Sequence, residues 1–335
     1  MRIDNSDITI VMQGGIDVGW DVRYSADYMR KVLPGVTIIL ATQNSALKSF
    51  EGHASFDKVV VTEDPGHLPS VKLGGGPHNV NRQILSAAAG MNAVTTKYAM
   101  KLRTDAYITS RRALDIWGYW ADQPSGNKKR GASRILISSI FSLNPRFDER
   151  LSYHLSDWVQ FGTTEDLRAF WQCPLMNFDD NTWYERNDYA PESLYREKEF
   201  RSRFATEQWL TLNYLFGPEK FPVRFHNDTS EDIINEFEAQ LADNFIVVHP
   251  LDIDLHMPKH NYIYKSRYFN SICHSYESWK QLAVSRGATA TNDLGFVQWP
   301  LSLKGKQRYV LAKQRLRWVR HIPFVRSAFQ RLYRL

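Results

Sequence analysis

A chain of 335 residues, 43% hydrophobic and 23% charged, has the composition of a soluble globular protein: one large α/β unit or two smaller ones. Ten of its 42 Lys and Arg lie in 304–335, which holds no Asp or Glu, so the net charge of +6 belongs to the tail and the rest carries 32 basic against 36 acidic residues. The acidic body argues against nucleic-acid binding, two distant cysteines (Cys173, Cys273) against a disulfide framework or thiolate metal site, and the lack of any run near ~20 apolar residues against a membrane span.

Asp4 and Asp7 interrupt the N-terminus, so no secretory signal is expected there. Asp7–Gly15 (DITIVMQGG) is an apolar run that stops at two glycines, and VRYSADYMRKVLPG then reads as a helix with a Pro-Gly stop. Val36–Thr42 and Asp57–Asp64 are β-branched runs ending in polar residues. Val80, Ile84, Ala87, Ala88 and Met91 recur at helical spacing, which predicts a helix from about Asn79 to Ala93 feeding a strand over Lys97–Leu102. A helix at RRALDIWGYWAD and a strand at RILISSIF follow, on either side of a PSGNKKRG loop. Near-continuous apolar strands alternating with helices predict a doubly wound, mainly parallel α/β sheet.

Beyond residue 145 the pattern loosens. SDWVQFGTTEDLRAFW reads as a strand then a helix, with Thr163 and Asp166 as a capping box. Helices are expected at ATEQWLTLNYLF and EDIINEFEAQLAD, with a strand at PVRF between them. The chain thus divides into a ligand-binding α/β half (1–145), a less regular α+β half of the same domain on the acceptor side (146–303) and a basic tail (304–335).

In open α/β sheets ligands bind beyond the carboxyl ends of the strands. Three strand ends turn polar there: Gln13-Gly14-Gly15, Thr62-Glu63-Asp64 and Arg103-Thr104-Asp105. Paired glycines allow close backbone approach to a base or ribose. A hard carboxylate such as Asp105 suits Mg²⁺ or Mn²⁺ bridging phosphates, and Arg82 or Arg103 suits the charge of a leaving diphosphate. These types together fit a nucleoside diphosphate-sugar.

The blocks DITIVMQGGI, DKVVVTEDPG, HNVNRQILSAAAGM, TKYAMKLRTD, SDWVQFG and ATEQWL resemble those of the WavE lipopolysaccharide-synthesis family, and more distantly the large GT-A-fold glycosyltransferases. The resemblance implies a GT-A-like fold and transfer of a sugar from a nucleotide-sugar donor to a lipopolysaccharide core or O-antigen acceptor. It places Arg103-Thr104-Asp105 where those enzymes carry Asp-x-Asp, with Asn79 and Arg82 on the preceding helix. Here an Arg replaces the first Asp, which leaves Asp105 as the metal ligand and Arg103 to share in charge neutralisation.

Inverting transfer needs a carboxylate base. Asp157 ranks first, Glu207 second, and Asp179 and Asp180 third, with Trp158, Trp183 and Tyr184 either as rings to stack on acceptor sugars or as ordinary core. His249, His256 and His260 lie among Pro250 and Pro258 in a loop-like stretch, where a His could complete a metal site in a GT-A-like enzyme. From Pro323 onward, Phe324, Val325, Ala328, Phe329, Leu332, Tyr333 and Leu335 fill one helical face and Arg326, Gln330, Arg331 and Arg334 the other, which suits an anionic membrane surface first, with a partner-binding helix or one docked on the protein's own body as the competing readings. The expected location is therefore cytoplasmic, on the inner face of a bacterial inner membrane. Two alternatives stay open: a sugar-phosphate nucleotidyltransferase, although QGGIDVGWD lacks the basic residue such loops carry, and a non-catalytic membrane-docked scaffold. The scaffold predicts that Arg82, Arg103 and Asp105 do not meet in one cleft.

Overall fold

A computed structural model describes residues 3–15, 19–218 and 220–289. The expected amphipathic helix of the tail lies outside them. The first half runs β1 (Ile8–Gln13), α1 (Val22–Val32), β2 (Thr37–Thr42), β3 (Lys58–Val61), α2 (Val80–Asn92), β4 (Tyr98–Arg103), β5 (Tyr107–Ile108), α3 (Arg112–Trp120) and β6 (Ile135–Ser138). It continues with β7 (Val159–Thr163), α4 (Thr164–Trp171), the short α5 (Phe178–Asn181), α6 (Thr206–Phe216), α7 (Glu231–Asn244), β8 (Phe245–Val248) and β9 (Leu255–His256). Three helices close the described chain: α8 (Asn261–Lys265), α9 (Arg267–Ile272) and α10 (Tyr276–Ser285).

Seven strands form one sheet in the order β3-β2-β1-β4-β7-β6-β8. All neighbours are parallel except β7, which runs antiparallel to both β4 and β6. This is the mainly parallel, doubly covered α/β sheet that the sequence predicts, with β5 and β9 forming a separate two-stranded ribbon. The order reverses between β1 and β4, so their carboxyl ends flank the crevice where such sheets take ligands.

Both faces of the sheet are covered. In β4, Tyr98 packs edge-on against Trp117 of α3, while Lys101, of opposite parity, lies 4.9 Å from the Trp171 ring of α4. Helix α2 shares the Lys101 face and approaches it closely: a Cβ on Gly90 would stand 2.6 Å from Val11 Cγ1 and 2.7 Å from Ala41 Cβ. Only glycine allows that approach. Helix α4 starts where its sequence predicts, with Thr163 Oγ1 accepting from the Asp166 amide at 3.1 Å, but the Asp166 carboxylate, instead of closing the capping box, accepts from the Ala132 and Ser133 amides at 2.9 Å each.

Two expectations need correcting. PVRF is not a strand. Pro222 removes a ladder donor, and the backbone there is satisfied by side chains: Asp228 Oδ2 accepts from the Arg224 amide at 3.0 Å, and Arg203 Nε donates to the Arg224 carbonyl at 2.7 Å. The RILISSIF strand ends early, at Ser138. There the Ser138 hydroxyl accepts from the Ile140 amide at 3.1 Å, and the chain turns into Phe141 with φ +68°. Among the described residues no helix is long and apolar enough to cross a membrane.

Candidate active site

The ends of β1 and β4 are stitched together. The Thr104 amide donates to the Gln13 carbonyl at 3.2 Å, and the Thr104 hydroxyl donates to the Gly15 carbonyl at 2.6 Å. Gly14 between them has φ +139°, and a side chain there would meet Thr104 Oγ1 at 3.1 Å. Backbone therefore lines the crevice where side chains would block it. Gln13 Nε2 reaches α2 by donating to Ser86 Oγ at 2.8 Å.

A cleft of about 580 Å³ opens over these strand ends. Gln13, Gly14, Gly15, Asn79, Arg82, Arg103, Thr104, Asp105, Asp157 and Glu207 all line it, so Arg82, Arg103 and Asp105 do share one cleft. Asp64 does not: it stands behind Arg82, accepting from Nε and Nη2 at 2.7 Å each. Asp179 and Asp180 pair instead with Arg186 and Arg203, away from the cleft. Of the three rings proposed for acceptor stacking, Trp158 lines the cleft, whereas Trp183 packs under Arg203 and Tyr184 stacks on Tyr189.

The β4 end is a charge cluster. Arg103 grips both oxygens of the buried Asp105, at 2.8 Å each, in a bidentate fork. Burial pushes the Asp105 carboxyl up, but the Arg103 hydrogen bonds and charge, aided by His260 and Lys259, outweigh it and hold it below its ordinary range. His260 Nε2 stands 4.0 Å from Asp105 Oδ2, its ring stacked on Trp158. Of the three loop histidines only His260 reaches this cluster. His256 stacks on Tyr107, and His249 accepts from the Leu251 amide.

The two leading base candidates sit in different surroundings. Asp157 is tied to the protein interior: the fully buried Lys101 donates to its carbonyl at 2.7 Å and to Oδ2 at 3.2 Å, and Gln83 also donates to Oδ2. Burial pushes the Lys101 ammonium down, against the pull of Asp157. Glu207 lies in the first turn of α6, where the helix dipole favours a carboxylate. His154 Nε2 faces it at 3.2 Å, and the other ring nitrogen donates to the Phe141 carbonyl at 2.9 Å. Beside it, His78 contacts Asn181 Oδ1 at 2.6 Å and Thr206 Oγ1 at 2.8 Å, and burial pushes its pKa down, so it stays neutral.

Burial opposes both charges of the His154–Glu207 pair, yet each partner's field prevails: His154 is raised and Glu207 lowered. The pH dependence follows from both signs. His154 contributes stability in full below its unfolded value near 6.5 and loses it as pH rises through the folded one. Glu207 contributes above its unfolded value near 4.5 and loses it as pH falls through the folded one. A double-mutant cycle with His154→Gln and Glu207→Gln, followed by chemical denaturation, is therefore expected to show a coupling plateau between those two values. It should decline on both sides. A coupling that grows above neutral pH would contradict the charged pair.

Lys101, His154, His78 and Lys259 were not among the sequence candidates. Each gains its place only through partners distant in the chain. The ends of two neighbouring strands of the sheet thus lie under one cleft whose lining includes the cations Arg82, Arg103 and Lys259 and the carboxylates Asp105, Asp157 and Glu207.

The chain belongs to the WavE lipopolysaccharide-synthesis family, whose model matches residues 8–309. No curated protein matches it significantly. Among solved structures, the galactosyltransferase LgtC in complex with donor and acceptor sugar analogues is 10% identical over 85% of this chain and 97% of that one, with a TM-score of 0.33. S. aureus TarS 1–349 is 11% identical over 94% and 81%, with a TM-score of 0.32. HddC from Yersinia pseudotuberculosis is 11% identical over 48% and 78%, with a TM-score of 0.27. At such scores the fold class rests on the strand order of this chain's own sheet.

Proposed function

We propose that this protein is a glycosyltransferase of lipopolysaccharide synthesis, moving a sugar from a nucleoside diphosphate-sugar to a saccharide acceptor. The observation that carries the reading is the cleft itself, whose lining brings together Gly14, Gly15, Arg82, Arg103, Asp105 and Lys259. The glycines give room for the nucleoside. The cations meet the diphosphate, whose charge grows as it departs. Glu207, held ionised by His154, takes the acceptor proton. Asp157, bound by Lys101 and Gln83, ties the cleft lining to the interior of the sheet.

Among the described residues no three or more His, Cys, Asp or Glu gather as a metal cage. Mg²⁺ and Mn²⁺ need less, since they bind through one or two protein ligands with substrate phosphates and water supplying the rest. Asp105, with His260 4.0 Å away, would take that role only if Arg103 released one of the two Asp105 oxygens it holds at 2.8 Å. A cation there would add to the neutralisation of the diphosphate that Arg103 and Lys259 already provide. The tail 304–335 is proposed to hold the protein on an anionic membrane surface, where its acceptor would lie.

The test is a thermal-shift screen of nucleoside diphosphates, with and without Mn²⁺. One nucleotide is expected to raise the melting temperature by mass action, with a further rise on adding Mn²⁺. Asp105→Asn is expected to remove the Mn²⁺ increment. An increment retained in that variant would move the metal elsewhere, and no shift with any nucleotide would count against the donor cleft.

A further inference from the structure

A second cavity, of about 450 Å³, adjoins the cleft, and the two share Pro77, His78, Thr206 and Glu207 as a common wall. Where the cleft is polar and cationic, this cavity is more apolar, with Phe141, Phe200, Tyr268 and Phe269 among aliphatic residues and with Lys72 and Glu149 as charged members of its lining. The rings support one another: Phe141 meets Phe269 edge-on at 5.4 Å and Trp158 at 5.0 Å, and Trp158 itself faces the cleft. Lys72 lies 4.5 Å from the centre of the Phe200 ring.

The wall and the acid–base pair are built from the same residue. Phe141 is held at φ +68°, a left-handed conformation that non-glycine residues seldom adopt and that clusters at functional sites. Its ring lines the cavity, while its carbonyl fixes His154, which also lines the cavity and faces Glu207. Glu207 is thus presented to both chambers at once. A ligand with an apolar face and a rim of hydroxyls matches this surface: rings for the face, Glu207 and the His78–Thr206 pair for the hydroxyls. A sugar ring has that shape and chemistry. An acyl chain would leave the polar wall without partners.

We propose that this second cavity is the acceptor subsite, seating the sugar to be glycosylated against Phe141 and Phe269 with its reacting hydroxyl on Glu207. This rests on the glycosyltransferase reading above. In the step that follows, the hydroxyl proton passes to the Glu207 carboxylate and the acceptor oxygen bonds to the anomeric carbon of the donor. The bond from that carbon to the diphosphate oxygen breaks, and the nucleoside diphosphate leaves with the electron pair.

The experiment is saturation-transfer NMR on the full chain with the core oligosaccharide of deacylated lipopolysaccharide as probe. Wild type is compared with Val71→Arg, which plugs the cavity from a half-buried lining position, and with Phe269→Ala, which removes a ring. Transfer is expected on wild type and at least a fivefold loss in each variant, while the nucleoside diphosphate melting shift stays unchanged and reports that both remain folded. No transfer on wild type, or full transfer in both variants, would overturn the subsite. A wild-type protein that takes the oligosaccharide there but shows no nucleotide shift would overturn the donor reading instead.

Discussion

Glu207→Gln is expected to lower turnover by about 10²–10⁴-fold, the usual worth of a general base, while leaving nucleoside diphosphate binding nearly unchanged. Glutamine keeps the shape and can still touch His154, but it cannot accept a proton. The carboxylate also raises the pKa of His154 against the effect of burial, so that rise should be lost in the variant. The separation of effects comes from geometry. Glu207 lies on the wall between the two chambers, while Arg103 and Asp105, at the end of β4, line the first cleft alone. Steady-state release of nucleoside diphosphate, set beside the melting shift, checks both halves. Turnover within tenfold of wild type would remove Glu207 as the base and return that role to Asp157.

Lys101→Met is expected to cost about 3–5 kcal/mol of stability, as breaking one side of a buried ion pair does. Lys101 is fully buried, and the Asp157 side chain is only 9% exposed, so the carboxylate left behind has little water to turn to. Desolvation works against this pair from the outset, and it persists because the ammonium binds both the carboxylate and the carbonyl of Asp157. Removing both charges together, as Lys101→Met with Asp157→Asn, should therefore recover most of the loss. Urea denaturation of the two singles and the double gives the coupling directly. A single variant as stable as wild type would mean the pair contributes nothing, and Asp157 would then be available as a base after all.

Much of the fold could be read from the chain because its signals are local. Ile8–Gln13 and Thr37–Thr42 are apolar, β-branched runs, and strands buried on both faces need little more. The Arg103-Thr104-Asp105 end is legible for the same reason: its polar residues close an apolar strand, and the structure puts all three in the lining of the cleft. Lys101 was not visible. One strand residue among apolar neighbours reads as pointing outward, and only Asp157, 56 positions later, explains why it points in. His154 and Glu207 likewise meet across the fold, and nothing near either announces the other. PVRF misled because β propensity says nothing of partners, and the side chains of Arg203 and Asp228 reached that backbone before any strand did. Asp64 ends its strand as Asp105 does, yet β3 is the sheet edge, and its carboxylate serves Arg82 rather than the cleft.

The measurement that bears most directly on the whole account is release of nucleoside diphosphate from a panel of nucleotide-sugars by the purified full chain, with and without the core oligosaccharide. The account predicts release from one donor class, accelerated at least tenfold by the oligosaccharide and lost in Arg103→Ala. Release from none of them, or formation of pyrophosphate from a nucleoside triphosphate and a sugar phosphate, would contradict it.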